Sequence, residues 1–211
     1  GGASGDEVYG GDGNTANASD GGDILIGDSG QITIDPETVD EAINKVKTIT
    51  TTDTDSATGG TDFIMGNEGD DVILGGVGAD GDSAVTDTAI PVAAGLEGND
   101  GVDIILGDNG SLDYTLDTDL TTLDQVTTDR SLPGFGGSDT ISGGIDNDII
   151  FGGAAGDTLS GDAGNDIILG DAGQVDLTGT ERDIFSVDES DGGADTITGG
   201  ADHDILLGGA G

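Results

Sequence analysis

Through the stretch from Gly134 to Gly173 an aliphatic residue stands two places after an aspartate at every ninth position. Ile141 follows Asp139, Ile150 follows Asp148, Leu159 follows Asp157 and Ile168 follows Asp166. The phrase reads G-G-x-G-x-D-x-U-x with U aliphatic, and further copies cover Gly66 to Leu74 and Gly199 to Leu207. The glycines suit a tight turn that needs positive φ. The x-U-x end suits a three-residue strand whose middle side chain points to one side. Each phrase is then half a coil, and eighteen residues bring the chain back above its starting point. A fixed period of this kind predicts a solenoid in which each coil touches mainly its neighbours.

The residues flanking U alternate in character. After Asp139, Asp157 and Asp195 they are Thr140 and Ser142, Thr158 and Ser160, Thr196 and Thr198. After Asp148, Asp166 and Asp204 they are Ile149 and Phe151, Ile167 and Leu169, Ile205 and Leu207, and Asp23, Asp71 and Asp103 follow this second type. Successive half-coils lie on opposite sheets, so one sheet should be polar outside and the other should carry an apolar stripe. An apolar stripe is either covered or an interaction surface.

The tandem phrases break at recurring places. ILIGDSGQI, IILGDNGSL and IILGDAGQV each leave the nine-residue register and open an alternating stretch: Gln31 to Asp35, Ser111 to Leu116, Gln174 to Leu177. A second alternating stretch follows in Val46 to Thr51, Gln125 to Thr128 and Asp183 to Val187. Paired alternating segments predict β-hairpins, and the loop Pro36 to Lys45 has room for a helical turn. The expected order is repeat 1–30, hairpin 31–56, repeat 57–110 with an extra loop 83–97, hairpin 111–133, repeat 134–173, hairpin 174–192 and repeat 193–211. Two uses of the stripe follow. The hairpins fold back over it with Ile32, Ile34, Val126 or Phe185 inward, or a second chain docks on Ile104, Leu106, Ile149, Phe151, Ile167, Leu169, Ile205 and Leu207 to build a fibre.

Charge changes the picture. Asp and Glu number 44 against 4 Lys and Arg, for a net charge of −40, and all four basic residues (Lys45, Lys47, Arg130, Arg182) lie in the hairpin insertions. Nucleic acid and anionic membranes are therefore poor partners. No apolar run approaches membrane-spanning length, and with no Cys there is no thiol or disulfide chemistry. The chain opens at Gly1 and stops at Gly211 within repeats, which predicts a window of a longer array. One or two aliphatic side chains per phrase bury too little to offset the entropy of ordering it, so each coil needs another source of stability. Ca²⁺ is the candidate: it takes six to eight oxygens from carboxylates and backbone carbonyls, whereas Mg²⁺ keeps its waters and transition metals want imidazole or thiolate.

The phrase resembles the RTX repeat, the haemolysin-type calcium-binding nonapeptide of bacterial secreted proteins, in GNEGDDVIL and in the copies starting at Gly143, Gly152, Gly161 and Gly199. The resemblance implies an all-β fold, a parallel β-roll or β-solenoid of nonapeptide half-coils, interrupted here by the inserted β-hairpins. It implies multiple Ca²⁺ ions in the turns, type I secretion, and folding on reaching external calcium. Carried over by position, the sixth-position metal ligands are Asp6, Asp23, Asp62, Asp71, Asp80, Asp103, Asp139, Asp148, Asp157, Asp166, Asp195 and Asp204, with carbonyls from the glycine turns. Asp146 and Asp202 stand where the fourth-position Gly belongs, and Asp tolerates left-handed geometry. Asp82 stands at a core position after Asp80, and Thr15 where a sixth-position Asp is due; both predict interrupted coils with weak or absent ions.

No catalytic constellation is expected. Gly27 Asp28 Ser29 Gly30 spells a serine-protease context, but the one His, His203, sits in a turn slot that Asn147 and Asn165 fill in other copies. The expected function is a calcium-binding structural segment of a secreted or cell-surface bacterial protein, as stalk, fibre or adhesin-like element. The alternative is a C-terminal accessory or secretion region of an exported enzyme or toxin.

Overall fold

The computed structural model describes residues 7–10, 22–34, 46–52, 59–80, 95–117, 119, 121–128, 136–187 and 192–210. Asp6, Thr15, Asp82 and the loop Pro36 to Lys45 lie outside them. The strands in chain order begin with β1 (Glu7–Tyr9), β2 (Ile24–Ile26), β3 (Gly30–Ile34), β4 (Val46–Thr51), β5 (Phe63–Glu68) and β6 (Val72–Leu74). Next come β7 (Leu96–Asp100), β8 (Ile104–Leu106), β9 (Gly110–Asp113), β10 (Gln125–Thr128), β11 (Thr140–Ile145) and β12 (Ile149–Gly153). The last are β13 (Thr158–Ala163), β14 (Ile167–Asp171), β15 (Gly173–Asp176), β16 (Asp183–Ser186), β17 (Thr196–Thr198) and β18 (Ile205–Leu207). The fold is all-β, a β-roll with a third layer.

Half-coils alternate between two parallel 6-stranded sheets, β1-β5-β7-β11-β13-β17 and β2-β6-β8-β12-β14-β18. Equivalent positions stack without stagger: Thr140 pairs with Thr158 and Thr158 with Thr196, while Ile149 pairs with Ile167 and Ile167 with Ile205. The U side chains Leu25, Ile64, Ile73, Leu96, Ile105, Ile141, Ile150, Leu159 and Ile168 fill the space between these sheets. The extra loop is shorter than expected, because Leu96 and Glu97 already belong to β7, and buried Leu96 takes the core place at which Asp82 stands in the sequence.

The hairpins do more than fold back. β3-β4, β9-β10 and β15-β16 join through β4 on β9 and β10 on β15 into one antiparallel 6-stranded sheet. Ile49 pairs with Leu112, Leu112 with Val126 and Val126 with Val175, so one aliphatic row crosses all three insertions. That row packs on Leu74, Leu106, Phe151 and Leu169, the apolar stripe of the second parallel sheet. The stripe is thus covered by the chain's own hairpins, and of the residues considered above for docking a second chain only Ile205, on the last coil, is exposed.

Three of the expected inward residues need correction. Phe185 is 50 % exposed, because it pairs with outward Gln174 while its neighbour Ile184 pairs with buried Val175 and packs on the core. Ile32 and Ile34 are 41 % and 42 % exposed: they lie on edge strand β3, which has a neighbour on one side only. Val126 is fully buried.

Candidate metal sites

The turns that link the two parallel sheets form two rows. In one row stand Asp23, Asp71, Asp103, Asp148, Asp166 and Asp204, and in the other Asp62, Asp80, Asp139, Asp157 and Asp195. Each aspartate donates its backbone N–H to Oδ1 of the next in its row. The distances are 2.7 Å for Asp23 to Asp71, 2.8 Å for Asp71 to Asp103 and for Asp103 to Asp148, 3.0 Å for Asp148 to Asp166 and 3.1 Å for Asp166 to Asp204. In the second row they are 2.8 Å for Asp62 to Asp80, 2.7 Å for Asp80 to Asp139, 2.9 Å for Asp139 to Asp157 and 3.0 Å for Asp157 to Asp195. The backbone carbonyl is used as well: Asp103 C=O accepts from Ile149 N–H and Asp139 C=O from Thr158 N–H. Eleven of the twelve sixth-position residues therefore occupy equivalent places in two continuous ladders, and Asp6 lies outside the described residues.

Oδ1 is consumed by the ladder; Oδ2 is not. In Asp80, Asp103, Asp139, Asp148, Asp157, Asp166 and Asp195 the Oδ2 atom is buried without a hydrogen-bond partner, an arrangement that is costly for a carboxylate. The first glycine of each turn shows where these atoms point. A methyl group at Gly152 would run into Oδ2 of Asp157 and the carbonyl oxygen of Gly170, and at Gly161 into Oδ2 of Asp166 and the carbonyl of Gly199. Gly98, Gly107 and Gly143 repeat this with Asp103, Asp139 and Asp148. A carboxylate oxygen without a donor and a glycine carbonyl of the adjacent coil therefore converge on one small space per turn. Carboxylate and carbonyl oxygens, with no nitrogen or sulfur donor, fit a hard cation such as Ca²⁺.

The electrostatics agree. Burial pushes the carboxyls of Asp80 and Asp103 up to about 7 and those of Asp148 and Asp157 up to about 8; neighbouring carboxylates add to the rise and the accepted N–H groups oppose it. Burial also holds Asp139 well above the ordinary carboxylate range, and raises Asp166 and Asp195. Stacked carboxylates this poorly compensated call for positive charge between the coils.

The departures from the phrase are absorbed by backbone geometry. Asp146 (φ 84°) and Asp202 (φ 76°) adopt the left-handed conformation that Gly69, Gly101 and Gly164 supply at the same turn position. The turn of Asp80 keeps the ladder on both sides and the glycine contact through Gly75, so it is not an interrupted turn. Three buried aspartates at the hairpin junctions escaped the sequence reading: Asp28, Asp108 and Asp171, next to the first glycine of each turn that a hairpin splits. Their signal was the Gly-Asp-x-Gly shared by all three register breaks.

A family profile for the RTX calcium-binding nonapeptide repeat (4 copies) matches residues 56–81, 133–168 and 189–211. No curated protein and no solved structure matches the chain. The ladders carry the same turn geometry beyond the matched residues, to Asp23 and Asp103. On the match and on the geometry of its stacked turns, the chain carries RTX calcium-binding nonapeptide repeats at residues 56–81, 133–168 and 189–211.

Proposed function

We propose that this chain is a calcium-stabilised structural segment of a secreted or cell-surface bacterial protein, a stalk, fibre or adhesin-like spacer that folds on meeting calcium outside the cell and performs no catalysis. The observation that carries this reading is the repeated pairing of a buried, donorless Oδ2 with a glycine carbonyl of the next coil. The sixth-position aspartates and first-position glycines would hold the ions. Bound Ca²⁺ supplies positive charge and accepts several oxygen ligands at once. The aspartate ladder brings the oxygens of adjacent coils together only in the folded chain. Binding to the folded state alone pulls the equilibrium toward it. At low calcium the same carboxylates repel one another and oppose coiling.

A mechanical role draws further support from the three stacked sheets, whose equivalent positions repeat from coil to coil in one direction. The one histidine, His203, is exposed in a turn. Self-association through the apolar stripe, the other use considered for it, would have to displace the hairpin sheet.

Far-ultraviolet circular dichroism with sedimentation during a Ca²⁺ titration, and Mg²⁺ as control, tests the proposal. A coil-to-β transition specific to Ca²⁺ is expected. Full strand signal in chelator at neutral pH would overturn it, and growth in mass on adding Ca²⁺ would assign self-association in addition.

A further inference from the structure

The two rows of turns differ. Every described turn in the row of Asp71, Asp103, Asp148, Asp166 and Asp204 runs directly from one sheet to the other. In the row of Asp62, Asp80, Asp139, Asp157 and Asp195, turns alternate between direct (Gly75 to Asp80, Gly152 to Asp157) and split by a hairpin (Gly27 to Asp62, Gly107 to Asp139, Gly170 to Asp195). Where turns are direct, the third-position N–H of one coil donates to the second-position carbonyl of its neighbour, as Ala201 does to Asp162 at 2.7 Å. In a split turn the chain leaves the roll after the second position, and the matching N–H of the neighbouring coil has a different acceptor.

A side chain accepts instead. Val77 N–H donates to Oδ2 of Asp28 at 2.7 Å, Ala154 N–H to Oδ2 of Asp108 at 2.6 Å, and Ala210 N–H to Oδ2 of Asp171. The other oxygen reaches across the gap to the returning chain: Gly137 N–H donates to Oδ1 of Asp108 at 3.1 Å and Gly193 N–H to Oδ1 of Asp171 at 3.2 Å. Gly137 and Gly193 lie two residues before Asp139 and Asp195, so the carboxylate of Asp108 spans its split turn and the direct turn beside it, and that of Asp171 joins its split turn to the turn at Gly208.

A neutral acceptor would serve these N–H groups, yet all three junctions carry Asp while the next residue varies among Ser29, Asn109 and Ala172. The charged groups around Asp108 are other carboxylates, among them Asp157 and Asp80. An independent sign of a ligand lies alongside. Oδ2 of Asp139, a residue 2 % exposed, has no partner and faces the space at Gly107, the residue before Asp108, where the carbonyl of Gly152 also points. Buried carboxylates that repel one another must take up protons or hold a cation, and at neutral pH a cation leaves them charged and compensated.

We propose that Asp28, Asp108 and Asp171 are junction carboxylates of the calcium array: each accepts in place of a turn carbonyl where a hairpin leaves the roll and adds a second negative charge to the ion site of the split turn. Strands β3, β9 and β15 each begin two residues after the junction aspartate, so assembly of the hairpin sheet is tied to ion occupancy there. This inference rests on the calcium reading above.

The test uses the full chain with Asp108→Asn, Asp171→Asn and the double variant, against exposed Asp117→Asn as a control of equal charge. Asn keeps the size and one acceptor oxygen but loses the charge. Bound Ca²⁺ is counted by equilibrium dialysis and affinity read by calorimetry. Each single variant should lose one ion, or weaken one site by about tenfold or more because site affinity follows ligand charge. The double variant should lose two, and the control none. Full ion count and unchanged affinity in the Asn variants, even with a lower melting temperature, would overturn the proposal by making these residues hydrogen-bond struts only. Loss of folding that added Ca²⁺ restores supports it; loss that no Ca²⁺ concentration restores overturns it. A wild-type chain that takes up no Ca²⁺ would instead sink the calcium reading itself.

Discussion

The backbone N–H of Asp148 donates to Oδ1 of Asp166, eighteen residues further on, at 3.0 Å, while Oδ1 of Asp148 accepts the N–H of Asp103 at 2.8 Å. One side chain therefore fastens its coil to the preceding one and turns its second oxygen toward the space at Gly143, where the carbonyl of Gly161 also points. Asp148→Ala removes both functions and leaves the buried N–H of Asp103 unpaired, at a cost of about 1–3 kcal/mol before any lost ion is counted. Thermal melts at saturating calcium should show a clear fall, and because coils contact mainly their neighbours, amide exchange should locate the damage between Asp103 and Asp166.

Ala155 holds a left-handed backbone (φ 68°) at a turn position where Gly69, Gly101 and Gly164 stand in other coils. That conformation costs a residue with a Cβ roughly 1–2 kcal/mol, partly offset by the greater unfolded freedom of glycine. Ala155→Gly should therefore stabilise the calcium-loaded chain by about 0.5–1 kcal/mol, seen as a raised melting temperature without a change in ion count.

Without metal, the pH dependence should run opposite to that of a salt-bridged protein. Burial raises Asp80 and Asp103 to about 7 and Asp148 and Asp157 to about 8. A carboxyl raised by folding favours the folded state below its unfolded pKa, and that contribution is lost as pH rises through the folded value. The metal-free chain should thus show more strand signal at about pH 5 than at about pH 8. With calcium the order reverses, because the ion competes with protons for the same oxygens. Circular dichroism at both values, with and without chelator, checks both directions.

Val126 and Phe185 sit on neighbouring hairpins but face opposite ways, at 0 % and 50 % exposure. Val126→Asp places an unpaired charge between the apolar sheet and the hairpin sheet and should cost more than about 3 kcal/mol. Phe185→Asp should stay within about 0.5 kcal/mol of the parent. Hydrogen exchange on Val126→Asp should lose protection in β9, β10 and β15 before β11 and β13, whose core lies on the far side of the apolar sheet.

The nine-residue period determined the roll: which residues turn, which aliphatic side chain points inward, and which aspartates stand in register, down to Asp23 and Asp204. Those features are local and recur from copy to copy, so one phrase read many times was enough. The alternation in β3, β4, β9, β10, β15 and β16 also marked three hairpins. Their joining into one sheet was decided by tertiary structure alone, since Ile49 on Leu112 and Val126 on Val175 pair across distant segments and any alternating strand offers the same backbone groups. Register then decided that Ile184 rather than Phe185 faces the core, because a shift of one residue exchanges the two faces of a strand. The part played by Asp28, Asp108 and Asp171 was hidden for a related reason: their carboxylates meet N–H groups of turns that follow only after a whole hairpin has left the roll and returned.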